Sequence, residues 1–133
     1  MNRTIVLIER DPSIVEILTL ILMNHGFSVK SLRFQEGALQ TVQDVEPCCI
    51  LVDIISVTEM GTKLCRQIKS DWRTMHIPII ALSTQIEAKG LKGVWADEVI
   101  LKPFDINNVI AAVERQWRLS CVNTSVFEFA DAD

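Results

Sequence analysis

The side chains that could do chemistry in this chain are three carboxylates, one hydroxyl and one ammonium group, each beside a short apolar run. In chain order they are Glu9 and Asp11 after TIVLI, Asp53 within CCILVDII, Ser83 after IPIIAL, and Lys102 after EVIL. Carboxylate oxygens are the ligands that divalent cations such as Mg²⁺ take in proteins. Arg10 stands between Glu9 and Asp11, however, so the acidic cluster carries a guanidinium group at its centre.

These residues must be positioned by five apolar runs that alternate with helical patterns. The runs predict strands over residues 4–8, 27–32, 48–55, 77–82 and 98–101. A helix is predicted from Asp11-Pro12 to His25-Gly26, because an acidic N-cap with proline starts helices and glycine ends them. Apolar spacing predicts further helices over 35–45, 62–70 and 85–91, and a last helix carrying Ile106, Val109, Ile110, Val113 and Trp117.

The apolar runs do not alternate with polar residues, so both faces of the sheet should be covered. This is typical of a parallel, doubly wound α/β sheet. Right-handed crossovers then favour the flavodoxin-like strand order 2-1-3-4-5 with helices on both faces. The carboxyl ends of parallel strands share one edge. The residues predicted to converge there are Glu9, Asp11, Asp53, Ser83 and Lys102.

Length and charge indicate one domain without a nucleic-acid surface. The 133 residues, 49% of them apolar, suffice for a single core, which we place at residues 1–120, followed by a short acidic tail at 121–133. Glu128, Asp131 and Asp133 contribute three of the four net negative charges, so the body is nearly neutral. Nucleic-acid binding is not expected, because it rests largely on clustered basic contacts.

Cysteine usage and the N-terminus favour a cytoplasmic protein. The four cysteines lack C-x-x-C spacing, and we interpret them as reduced core thiols; they are Cys48, Cys49, Cys65 and Cys121. The apolar stretch before Glu9 is too short for a signal-peptide core, and no segment approaches 18 consecutive apolar residues. No membrane span is therefore predicted.

Taken together, these pieces resemble the response-regulator receiver domain of two-component signalling. The resemblance covers about residues 3–118. It rests on the acidic cluster with Pro12, on Asp53 with Gly61 eight residues later, on the segment SDWRTMHIPIIALS, and on ILKPF at residues 100–104. Each piece is weak alone, but their order and spacing are specific.

The resemblance implies a role for each residue at a matching position. Asp53 matches the phosphoacceptor, which attacks a phosphohistidine on a histidine kinase or phosphotransfer protein. Ser83 matches the hydroxyl residue that bonds the phosphoryl oxygens. Lys102 matches the lysine that pairs with the carboxylate and then with the phosphoryl group, and the peptide bond that follows this lysine is usually cis. Glu9 and Arg10 match the two acidic positions that hold Mg²⁺.

Arg10 is the main departure from the family. The formal charges of Glu9, Asp11 and Asp53 against Arg10 and Lys102 sum to −1, one positive charge more than in a pocket of three acids and one lysine. A guanidinium group at a ligand position removes an attraction for Mg²⁺ and adds a repulsion. Weak Mg²⁺ binding by Glu9 and Asp53 is therefore predicted, with Asp11 either a substitute ligand or, as we favour, a helix N-cap.

Three interpretations of Arg10 stay open. It is a solvated residue, a permanent cation that pairs with Asp53 and mimics or blocks activation, or a phosphoryl clamp that replaces Mg²⁺. The second interpretation is favoured.

Other positions also depart from the family. Val57 stands where a proline is normal, Met60 where an acid is frequent, and Thr84 where a small alanine is usual. Val99 occupies the switch position, at which the family has an aromatic ring. The missing ring predicts weaker coupling between Ser83 and the signalling surface.

The sequence predicts a stand-alone atypical receiver that accepts a phosphoryl group on Asp53 and signals to a downstream protein, as a monomer or a homodimer. The alternative is a pseudo-receiver, a phosphorylation-independent interaction module in which Arg10 occupies the metal position. An aspartate-nucleophile phosphohydrolase fails on sequence, because Ile55 stands where such enzymes carry a second acid. No enzymatic activity is therefore expected.

Overall fold

Five strands and five helical segments make up the part of the chain that the computed structural model describes, which is the backbone of residues 2–131 and the side chains of residues 2–121. In chain order they are β1 (Thr4–Ile8), α1 (Pro12–Asn24), β2 (Ser28–Leu32), α2 (Ala38–Val45), β3 (Cys49–Asp53), α3 (Lys63–Lys69), β4 (Ile79–Ser83), a 3-10 helix (Ile86–Leu91), β5 (Glu98–Leu101) and α4 (Ile106–Asp131).

The strands form one parallel sheet in the order β2-β1-β3-β4-β5, which confirms the predicted topology. Ile8 lies opposite Val52 in the β1–β3 pair, and Asp53 lies opposite Leu82 in the β3–β4 pair. The strands therefore end nearly level with one another, and the residues that follow them share one edge.

Each face of the sheet has its own apolar core. On one face the strands pack against α2, α3 and the 3-10 helix, which contribute buried Val42, Leu64 and Ala88. On the other face they pack against α1 and α4, which contribute buried Leu18 and Val113. Burial on both faces explains why the strand sequences are apolar throughout. Each fully buried aliphatic side chain contributes about 1.5–3 kcal/mol.

Some helix boundaries differ from the predictions. α2 begins at Ala38 and not at residue 35, because Gly37 has a left-handed φ of 78° that interrupts the helical backbone. The segment predicted as a helix over 85–91 forms a 3-10 helix. The predicted N-cap Asp11 and the glycine after α1 are both confirmed, since the Asp11 side chain caps the helix and Gly26 has a φ of 86°.

α4 continues past residue 120 to Asp131, so the predicted boundary of the tail falls inside a helix. Whether residues beyond 121 dock on the domain depends on side chains outside the described part. Among the described residues, no helix combines the length and apolarity that crossing a membrane requires.

None of the four cysteines forms a disulfide, and only three of them lie in the core. Cys48, Cys49 and Cys65 are buried, whereas Cys121 is half-buried, so the prediction of a core position was wrong for Cys121. Burial raises the pKa of Cys48 and of Cys65 to about 11. These two thiols therefore stay protonated at neutral pH.

The loop between β3 and α3 has a position that only glycine fits. A Cβ on Gly61 would lie 2.0 Å from the Ser56 carbonyl oxygen. Gly61→Ala is expected to lower the free energy of unfolding by about 2 kcal/mol or more, because the loop backbone must move to remove the overlap. Gly90→Ala is the matched control, since nothing lies within 4 Å of a Cβ there. Urea unfolding that showed equal losses in the two variants would contradict this packing.

Candidate functional site

Four side chains that follow or end different strands meet at the carboxyl edge of the sheet. Glu9 follows β1, Asp53 ends β3, Ser83 ends β4 and Lys102 follows β5. The Lys102 main-chain N–H donates to the Ser83 carbonyl at 2.7 Å, which ties the end of β5 to β4. The bond from Lys102 to Pro103 is cis, as the resemblance implied. The convergence predicted from topology is thus observed for these four residues.

The Lys102 ammonium group joins the two carboxylates of the site. Its Nζ donates to Glu9 Oε2 at 2.7 Å and to Asp53 Oδ1 at 3.1 Å. The side chains of Lys102, Glu9 and Asp53 are only 14%, 1% and 11% exposed. Burial acts to lower the pKa of Lys102, but the hydrogen bonds to Glu9 and Asp53 outweigh it and raise the pKa above its usual value. Lys102 is therefore a permanent positive charge at neutral pH.

The Arg10 guanidinium group approaches the same Asp53 carboxylate from the solvent side. Arg10 Nε lies 3.8 Å from Asp53 Oδ2, within ion-pair range but too far for a hydrogen bond, and the Arg10 side chain is 52% exposed. Opposite charges about 4 Å apart attract by roughly 4 kcal/mol at an effective dielectric of about 20, and exposure to water weakens this further. The distance favours the pairing interpretation of Arg10 over a purely solvated one.

The remaining acids of the cluster are engaged by the start of α1. Glu9 Oε1 accepts from the Asp11 main-chain N–H at 3.2 Å, while its other oxygen accepts from Lys102. Asp11 Oδ1 accepts from the Ser13 N–H at 2.9 Å and so caps the helix. The capping role predicted for Asp11 is confirmed, and this exposed carboxylate serves the helix in the structure.

The Ser83 hydroxyl is turned toward the main chain. It is fully buried, donates to the Ile54 carbonyl at 2.6 Å and accepts from the Gln85 N–H at 3.0 Å. The hydroxyl thus bonds to the residue after Asp53. It would have to leave Ile54 before it could donate to a group on the Asp53 carboxylate.

Four further positions that depart from the family differ in their exposure. Val57, Met60 and Thr84 are exposed. Val99 is half-buried and packs against the apolar core on the α2 and α3 face. The weaker coupling predicted for Val99 stays a prediction.

The carboxylates fit magnesium poorly in this arrangement. Mg²⁺ is usually held by one or two carboxylates that also leave room for water and substrate phosphate. Glu9 and Asp53 each already accept a hydrogen bond from Lys102, and Arg10 adds a second cation. Within residues 2–121, no three His, Cys, Asp or Glu side chains are grouped so that they could hold a metal ion. Positive charge at the site comes from Lys102 and Arg10.

One residue at the site escaped the sequence analysis. Gln35, in the loop between β2 and α2, donates from Nε2 to the main-chain carbonyls of Asp53 at 3.2 Å and Gly61 at 3.3 Å. A glutamine in a surface loop has no distinguishing sequence signal. The contact depends on how two loops pass each other in space.

Comparison with known proteins agrees with this geometry. A family described as "Response regulator receiver domain" matches residues 5–114. The DNA-binding response regulator MtrA of Mycolicibacterium smegmatis is 28% identical over 122 residues, which are 89% of this chain and 52% of that protein. The chain thus spans about half the length of this relative.

Two further matches extend the comparison. Histidine kinase P4 of Formosa agariphila is 31% identical over 109 residues, which are 79% of this chain but 8% of the kinase. The crystal structure of a putative response regulator from Chloroflexus aurantiacus superimposes with a TM-score of 0.78 at 24% identity, covering 89% of this chain and 99% of that one. The structural match supports the fold.

Removal of the Lys102 ammonium group should show how far the stability of the protein depends on pairing of the Glu9 and Asp53 carboxylates. Lys102→Met is expected to lower the free energy of unfolding by about 3 kcal/mol at neutral pH, because it removes the cation bonded to the buried Glu9 and leaves Asp53 with only the half-exposed Arg10. The pKa of Lys102 is raised, so its stabilisation is fully present below the usual value of 10.5 and is lost as the pH rises through the raised value. The loss should therefore be constant between about pH 6 and 9.

The control is Lys63→Met, which removes an exposed lysine of α3. It should change stability by less than about 0.5 kcal/mol. Urea unfolding at several pH values measures both variants. A loss for Lys102→Met no larger than that of the control would show that the carboxylates do not need the ammonium group.

Proposed function

Because this chain belongs to the response regulator receiver domain family, we propose that it accepts a phosphoryl group on Asp53 and passes the signal on through protein contacts. The observation that best supports this role is the Lys102 ammonium group bonded to both Asp53 and Glu9. A carboxylate attacks a phosphoryl group only where positive charge offsets the repulsion between the two anions. Lys102 supplies that charge next to the attacking group. The proposal assigns the chain no enzymatic turnover.

In the proposed transfer, Asp53 Oδ2 attacks the phosphorus of a phosphohistidine on a partner protein. A bond from phosphorus to Oδ2 forms as the phosphorus–nitrogen bond breaks, and the released histidine ring takes up a proton from solvent. Oδ2 is the better placed oxygen, because Oδ1 is bonded to Lys102 whereas Oδ2 faces the half-exposed Arg10 at 3.8 Å. A guanidinium group can bind two phosphoryl oxygens at once. Arg10 is therefore placed to hold the incoming group.

Ser83 is proposed to act after the transfer. Its hydroxyl bonds to the Ile54 carbonyl in the unmodified protein. A phosphoryl group on Asp53 would offer it a charged acceptor, and hydrogen bonds to charged groups are stronger than those to neutral carbonyls. We propose that this exchange of partners carries the change in Asp53 to the ends of β4 and β5.

The phosphoryl donor we propose is a histidine kinase or a phosphotransfer protein, and the recipient of the signal is a downstream protein. A phosphohistidine is the source of phosphate that the family's chemistry requires. DNA binding and histidine kinase activity are named for two relatives of which this chain matches only part. Neither activity enters the proposal for this chain.

The position of Arg10 also favours a second candidate function. Glu9 and Asp53 are balanced by Lys102 and Arg10, so the contacting side chains carry no net charge. A site neutral in this way resembles a receiver that has already gained its cation, and it would act as an interaction module without phosphorylation. This pseudo-receiver differs from the first proposal in a measurable property, the uptake of a phosphoryl group.

Small-molecule phosphoryl donors separate the two functions. Incubation with acetyl phosphate or phosphoramidate should add one phosphoryl group to the wild-type protein, and Asp53→Asn should take up none, because the attacking oxygen is lost. Intact-mass spectrometry measures both. A wild-type protein that stays unmodified while Arg10→Asp is phosphorylated would establish the pseudo-receiver and overturn the first proposal.

Magnesium affinity tests the role of Arg10 directly. Arg10→Asp changes the local charge by two units in favour of a cation, so it should bind Mg²⁺ at least about tenfold more tightly than the wild type, a difference of about 1.4 kcal/mol. Arg118→Asp makes the same change at an exposed position of α4, about 18 Å along the helix from its start, and should leave affinity unaltered. Calorimetric titration that gave the same Mg²⁺ affinity for all three proteins would show that Arg10 does not weaken magnesium binding.

A further inference from the structure

We propose that Gln35 is a positioning residue for phosphoryl transfer, because its side chain closes the loop that begins at the attacking residue. This inference rests on the proposed function of Asp53 as phosphoacceptor. We call residues 53–61 the phosphoacceptor loop. Gln35 lies outside this loop, between β2 and α2, and reaches its first and last residues.

The orientation of the Gln35 amide follows from its partners. Nε2 lies 3.2 Å from the Asp53 carbonyl and 3.3 Å from the Gly61 carbonyl. Both partners are acceptors only, so the amide must present its NH₂ group, whose two hydrogens match two acceptors. Gln35 is half-buried. One side chain therefore satisfies two main-chain groups eight residues apart.

Residues of the phosphoacceptor loop hold its second half in place, but they do not hold its two ends together. Thr58 Oγ1 accepts from the Gly61 N–H at 3.0 Å, and the Thr58 carbonyl accepts from the Thr62 N–H at 3.1 Å. These bonds organise the second half of the loop at the start of α3. Gln35 joins that half to Asp53, so its loss would leave the two ends free to separate.

Two consecutive carbonyls at the start of the loop are anchored on different sides. The Asp53 carbonyl accepts from Gln35, and the next carbonyl, that of Ile54, accepts from the Ser83 hydroxyl. The Ile54 N–H also donates to the Leu82 carbonyl at 2.7 Å. The main chain at Asp53 is thus held from β4 on one side and from the β2–α2 loop on the other. If Ser83 turns to the phosphoryl group, Gln35 becomes the remaining side-chain anchor of these two carbonyls.

The test compares Gln35→Ala with Gln40→Ala. Gln40 is the matched control, because its side chain is exposed and bonds to Asp44 four residues along α2. Saturating phosphoramidate should phosphorylate Gln35→Ala about tenfold more slowly than wild type, since small misplacements of reacting groups cost this much or more. The half-saturating donor concentration should stay within about twofold, because Lys102 and Arg10 are untouched.

Gln35→Lys tests whether the donor group is what matters. Its ammonium group retains N–H donors of similar reach, so it should recover most of the lost rate. Thermal unfolding of all variants checks that the fold is kept. A Gln35→Ala protein that matches wild type in rate, or a Gln35→Lys protein as slow as Gln35→Ala, would overturn the proposal.

Amide hydrogen exchange tests, independently of phosphorylation, whether Gln35 holds the two ends of the phosphoacceptor loop together. The Gly61 and Thr62 N–H groups should exchange at least about tenfold faster in Gln35→Ala than in wild type or Gln40→Ala, since the loop opens locally. Unchanged exchange would overturn the proposed closure of the loop by Gln35, even if the phosphorylation rate fell. If wild type takes up no phosphoryl group at all, the proposed function fails, while exchange at these two amides still shows whether Gln35 closes the loop.

Discussion

A half-buried ammonium group between two buried carboxylates is the interaction on which the candidate site depends. Two carboxylates, those of Glu9 and Asp53, meet at a buried edge of the sheet, and burying them without a cation would be costly. Lys102 provides it from β5, although β4 separates that strand from β3 and neighbouring strands lie about 4.8 Å apart. Only a long side chain spans this separation. The strand order is therefore a condition for the chemistry.

The two cations of the site contribute differently. The Lys102 side chain is 14% exposed and lies within hydrogen-bond distance of both acids, whereas Arg10 is half-exposed and 3.8 Å from one of them. Coulomb energy weakens with distance and with exposure to water, so Lys102 dominates the stability of the resting site. Arg10 instead affects what can enter from solvent. Because Arg10 contributes little to stability, the domain can carry a basic residue at a position that is acidic in the family and still keep its fold.

Much of this arrangement could be predicted from the sequence, because it follows from strong local patterns. Unbroken apolar runs define a sheet covered on both faces, and Asp11 before proline marks the start of α1. The convergence at the carboxyl edge then follows from topology. The pairing of Arg10 with Asp53 was the favoured one of three interpretations, but the sequence could not decide among them, since a flexible side chain at a strand end has several orientations of similar energy. The contacts of Gln35 with the Asp53 and Gly61 carbonyls could not be predicted either, because they depend on the relative paths of two loops. Gly37 was missed as a helix boundary, since glycine occurs in helices at only moderate cost.

The bond between Ser83 and the Ile54 carbonyl gives the unmodified form an energetic advantage of its own. A hydroxyl with one hydrogen cannot serve both that carbonyl and a phosphate oxygen, so turning toward the phosphate strands a buried acceptor. An orphaned buried carbonyl costs about 1–3 kcal/mol. Under the proposed function, the bonds from Ser83 to a phosphoryl group must exceed this cost before the hydroxyl turns. If Asp53 is phosphorylated as proposed, this cost opposes the turn of Ser83 in the absence of a phosphoryl group, and it favours the return of Ser83 to Ile54 once the phosphate is lost.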